Sequence, residues 1–184
     1  MNAICAVLTC TSIGGVLAAE SLAFDLTGIA SYDSLGSPNN HVINFDVCIG
    51  GTVTGLSWDN IVGDGLGGTS WGNEMAIAVA DNGHPMISLG VFPTEASNSA
   101  GGTWGPASGG SSTNLVDLGY EWVSATGHTS FEFFETYDDA EGVADAYYQS
   151  GTVTIHWIPA STPVPGIGGL AALMGVGLLG RRRR

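Results

Sequence analysis

Four carboxylates crowd into the stretch YDDAEGVADAYY: Asp138, Asp139, Glu141 and Asp145, with Gly142 placed to turn the chain among them. Crowded carboxylates repel one another unless a cation or water stands between them. A hard divalent cation prefers such oxygen donors, and in an extracellular loop even a weak calcium site fills. Calcium is therefore the cofactor this stretch would take. The spacing is not that of an EF-hand loop, and a solvated acidic turn between two strands accounts for the same residues. No basic side chain stands ready to neutralise the group. The chain has four Lys and Arg in all, and these are Arg181, Arg182, Arg183 and Arg184 at its end, leaving 17 acidic residues unopposed before them.

A second chemistry belongs to Trp71 and Trp104, which sit in the glycine-rich phrases GGTSWG and GGTWG. Exposed indole rings there would stack on sugar faces. Catalytic patterns fare worse. GTSWG at 68–72 has the G-x-S-x-G form, which works only as a strand-to-helix turn, yet a strand-like NEMAIAVAD comes after it. GDGLGG at 63–68 matches a dinucleotide fingerprint but opens no helix toward a pyrophosphate. Glu132 and Glu135 are three apart on a strand and so point to opposite faces, where they cannot flank one glycosidic bond. His41, His84, His128 and His156 are scattered. The body offers no side-chain cation to steady an oxyanion. The expectation is a protein that is not an enzyme, and its charge excludes nucleic acid, whose binding rests on Lys and Arg.

The elements that must position these residues are strands. HVINFDVCI, MAIAVAD, MISLGVF, SFEFFET and GTVTIHWI alternate apolar and polar residues, with turn residues between them. Ile43, Phe45, Val47, Val79, Leu89, Phe133, Val153 and Ile155 are the expected core, and Ile49 falls in phase with the first three. Trp58 and Trp157 lie in strand runs. The spacing predicts an all-β, two-sheet β-sandwich of jelly-roll type over residues 24–160. Gly101 to Thr113 reads as a long Gly/Ser loop, and IPASTPVPG as an extended stalk.

The two ends are apolar. Residues 1–23, ending in small residues that suit cleavage after Ala19 or Ala23, read as a secretory signal, although its start lacks Lys and Arg. Its loss would remove Cys5 and Cys10 and leave Cys48 alone, as a small core residue with no disulfide. Residues 161–184 hold Pro163, Val164 and Pro165, a 166–180 run of Gly, Ala, Leu, Ile, Val and Met, and the four arginines. A helix of that run reaches about 22 Å, short of the roughly 30 Å hydrocarbon core, so it is a poor permanent span. The arginines would hold the C-terminus on the cytoplasmic side.

STPVPGIGGLAALMGVGLLGRRRR resembles the PEP-CTERM sorting signal of exosortase-handled bacterial proteins, with Val164 standing where the family has glutamate. The resemblance covers the last 24 residues. It implies export, transient insertion in the inner membrane, and cutting near the proline motif by a transpeptidase-like processing enzyme. The body, through SFEFFETYDDAEGVADAYYQSGTVTI and VTGLSWDNI, is similar to β-sandwich ectodomains found ahead of such signals and, distantly, to the jelly-roll P domain of proprotein convertases. Two functions are compatible with these features. One is a non-catalytic structural protein of the cell surface or extracellular matrix, with the export machinery and an exosortase-like enzyme as partners. The other is a calcium-assisted, lectin-like module for extracellular polysaccharide.

Overall fold

In a computed structural model, residues 18–66, 71–92, 101–137 and 141–160 are described, with 110–114 described for the backbone only. In chain order the elements are β1 (Glu20–Asp25), β2 (Ala30–Ser31), β3 (His41–Asp46), β4 (Thr52–Gly65), β5 (Met75–Asp81), β6 (His84–Gly90), β7 (Gly102–Asn114), α1 (Leu115–Leu118), β8 (Trp122–Val123), β9 (His128–Glu135) and β10 (Ala146–Ile158). They form two antiparallel sheets: one runs β1-β10-β4-β7, with β2 on β10 and β8 on β4, and the other runs β3-β9-β5-β6. The all-β, two-sheet expectation holds.

Alternation explains which faces meet. Val153, Ile155 and Trp157 of β10 point inward, as do Phe131 and Phe133 of β9, and all are fully buried. Phe24 reaches across from β1 to Phe45 and Phe131, with ring centroids 5.0 and 5.4 Å away. Such aromatic contacts between sheets supply area and preferred geometry together. Phe45, Val47 and Val79 are also buried, whereas Ile43 and Leu89 are only partly so, because β3 and β6 are the edges of their sheet. Ile49 departs further from expectation. β3 stops at Asp46 and the chain turns through Cys48–Gly51, leaving Ile49 71% exposed.

Two readings of the chain are corrected. The Gly101–Thr113 segment is strand β7, not a loop. Its glycines admit neighbours that a side chain would exclude: a Cβ on Gly109 would collide with the Trp58 ring, and one on Gly105, at φ +97°, would meet the Ile61 carbonyl. Glu20–Ala23 belong to the larger sheet, pairing with Thr154–Trp157. Cys48 is not a lone thiol. It is disulfide-bonded.

β4 is the spine of the larger sheet and is kinked. Its pairings with both β7 and β10 shift register near Asn60–Val62, and Asn60 has a left-handed φ of 51°. These are β-bulges, which bend a strand and sharpen its twist.

Candidate functional site

One end of the sandwich gathers acids. β2 and the residues after it run between the sheets, so that the Asp145 amide donates to the Ser31 carbonyl and the Glu135 amide to the Asp33 carbonyl, both at 3.0 Å. The Asp33 carboxylate accepts from Ser37 Oγ (2.6 Å), the Gly142 amide (2.7 Å) and Asn39 Nδ2 (2.8 Å). Those hydrogen bonds, the Ser37 hydroxyl foremost, hold its carboxyl below the ordinary value. Glu132 faces outward and accepts from the Gly36 amide and Asn40 Nδ2, pinning the same loop.

Glu135 lies on the opposite, inner face of β9 and is 1% exposed; Asp145 is 4% exposed. Burial, and next the charge of Glu135, push the Tyr148 hydroxyl well above its usual range. The Tyr148 hydroxyl and Ser31 Oγ are buried with no hydrogen-bond partner among the described residues.

Of the four acids expected to hold calcium, Asp145 is in this buried end and Glu141 is exposed in the turn before it, so the two are not in one environment. Asp138 and Asp139 lie outside the described residues. Among the described residues no three His, Cys, Asp or Glu side chains gather as a metal would need. Glu135 escaped the sequence argument as a ligand candidate, although SFEFFE puts it in phase with inward Phe131 and Phe133.

The tryptophans separate. Trp71 is half-buried at the turn where its amide donates to Glu74 Oε2 at 3.0 Å. Trp104 is 3% exposed and packs beside Phe92, in space left by Gly65 and Gly72; a Cβ on Gly72 would stand 2.7 Å from its Cγ. It is a core residue and presents no ring to a sugar. Ser70 of the elbow-like phrase lies outside the described residues, and the chain after Gly72 forms a turn and then β5, not a helix.

At the other end of the sandwich, register sets Asp46 of β3 opposite His128 of β9, and their side chains pair at 2.7 Å. With Asn44, Asn82, Thr129 and Ser130 they line a cleft of about 370 Å³. His156 meets Ser57 Oγ at 3.0 Å on the outer face of the larger sheet, and partial burial lowers its pKa. These side chains can accept and donate hydrogen bonds to a neutral polar ligand.

Pro163, Val164, Pro165 and the four arginines lie outside the described residues. The chain reaches them from Ala160, two residues beyond β10. Glu20, the first residue of β1, stands opposite Trp157, so both chain ends leave the same end of the sandwich. Among the described residues no helix is long and apolar enough to cross a membrane.

No family model matches the chain. No curated protein matches it either. Among solved structures it is similar to dimeric latent PorU from Porphyromonas gingivalis, at 12% identity and a TM-score of 0.37 over 84% of this chain and 15% of that one. It is also similar to a family two carbohydrate esterase from Cellvibrio japonicus, at 10% identity and a TM-score of 0.21, over 79% of this chain and 37% of the esterase. The chain thus spans well under half of either neighbour, and likeness at this level assigns it no activity.

Proposed function

We propose that the protein is an exported, non-catalytic component of the cell surface or extracellular matrix, delivered by the export machinery and sorted by an exosortase-like processing enzyme. The observation that carries this reading is the order at the C-terminus: Pro163-Val164-Pro165, an apolar run, and every Arg of the chain in its last four residues. Positive charge next to an apolar segment resists translocation. Five residues separate the last described residue, Ala160, from Gly166 at the start of that segment, which is a tether rather than a further domain. Replacing Arg181, Arg182, Arg183 and Arg184 together by Ala is expected to abolish processing in the native host, seen as loss of the shortened species on immunoblots. Normal processing of that variant contradicts the sorting role.

A second reading, a calcium-assisted module for extracellular polysaccharide, is favoured by the run of Asp138, Asp139, Glu141 and Asp145 in a body without basic side chains. Of its two tryptophans only Trp71 remains as a stacking candidate. A cation that binds the folded state alone raises the melting temperature. Millimolar calcium is expected to do so where magnesium does not, and Asp145→Asn is expected to remove the difference. Equal responses to the two ions sink this reading.

A further inference from the structure

The end from which both termini leave carries more apolar surface than its polar cleft suggests. Thr52 of β4 is flanked in register by Val123 of β8 on one side and Ile158 of β10 on the other. Their neighbours Trp122, Val53 and Trp157 point inward, so this row lies on the outer face. Val123 is 60% and Ile158 40% exposed. Ile49 joins them, because the Gly50 amide donates to the Ser124 carbonyl at 2.7 Å and the Ser124 amide to the Gly51 carbonyl at 2.9 Å. Leu118 and Tyr120, both exposed, lie on the segment leading into β8.

We propose that this end is a membrane-contacting surface, which rests on its apolar side chains against the interfacial region of a zwitterionic bilayer while the C-terminal segment is inserted. The inference rests on the sorting reading. Chain length argues for the bilayer as occupant. From Ala160 to Gly166 an extended chain reaches roughly 20 Å at about 3.5 Å per residue, so the end with Ile158 cannot stray far from an inserted segment. The N-terminal apolar run ends at Ala19, directly before β1 at this same end. Charge selects the lipid. The surface has no Lys or Arg, while Glu20, Asp46 and Glu121 border it, so anionic headgroups are repelled and the contact is apolar.

The test uses the full chain in phosphatidylcholine vesicles containing a photoactivatable phosphatidylcholine, with labelled peptides mapped by mass spectrometry. Label is expected on residues 166–180 and on peptides holding Ile49, Val123 and Ile158, and little on Leu35 and Val143, which are exposed at the acidic end. The combined variant Ile49→Ser, Val123→Ser, Ile158→Ser is expected to keep its melting temperature and lose roughly threefold or more of the label around those positions, since interfacial binding scales with apolar area. Label on 166–180 with none on this end, equal label at both ends, or no loss in the variant overturns the membrane contact and leaves the sorting reading standing. Absence of label from 166–180 overturns both.

Discussion

Trp104→Ala is expected to destabilise the protein by about 3–5 kcal/mol, the range for truncating a large buried aromatic. The ring is 3% exposed and fills space that Gly65 and Gly72 leave by lacking side chains. Truncation therefore opens a cavity between the end of β4 and the turn before β5. Trp71→Ala, at a half-buried turn position, is expected to cost less than about 1.5 kcal/mol. Urea unfolding of both variants, monitored by circular dichroism, checks the contrast. Equal small effects would mean that Trp104 is not in the core and would restore it as a ligand contact.

Gly151→Ala is the second substitution expected to act strongly. Gly151 has φ +113°, a conformation that side chains avoid, and a Cβ there would lie 2.5 Å from Ile61 Cα and 2.8 Å from its backbone nitrogen. Backbone cannot swing aside as a flexible side chain does. Strain of this kind costs on the order of 1–3 kcal/mol before the clash is counted. Ile61 sits at the β4 kink and is fully buried, so relief would have to pass through the spine of the larger sheet. The expected result is a clearly lower melting temperature, with Gly90→Ala, where nothing lies within 4 Å, as a mild control. A Gly151 variant as stable as the Gly90 one contradicts the kinked register.

The sandwich was legible because period-two patterning survives in the central strands. MAIAVAD became β5 with no change of bounds, and GTVTIHWI forms the end of β10. The segment GGTWGPASGGSST misled because its composition is that of a linker, while its place in the sheet is set by backbone pairing to β4 and by glycines that admit Trp58 and the Ile61 carbonyl. Local composition does not reveal a neighbour supplied from some fifty residues away. Trp104 was misjudged for the same reason. Glu132 and Glu135 were correctly set on opposite faces, but what each faces depends on the Asp33–Asn40 loop and on Tyr148, which only the fold brings near. The His128–Asp46 pair likewise arises from β3–β9 register, which no short-range signal announces.

The proposed delivery of the β-sandwich body outside the cell, with trimming at both ends, would fix the intact mass of the protein recovered from its native host. The start is expected at Glu20, because cutting after Ala23 would remove four of the six residues of β1. The end is expected between Pro163 and Gly166. Cys5 and Cys10 are the other cysteines of the sequence, and a disulfide from either to Cys48 would hold a cleaved leader on the domain, so the mass is taken before and after reduction. A reduced mass corresponding to roughly residues 20–165, with or without an attached group at the C-terminal end, is the expected value. A mass that retains Arg181–Arg184 on protein outside the cell contradicts export with sorting.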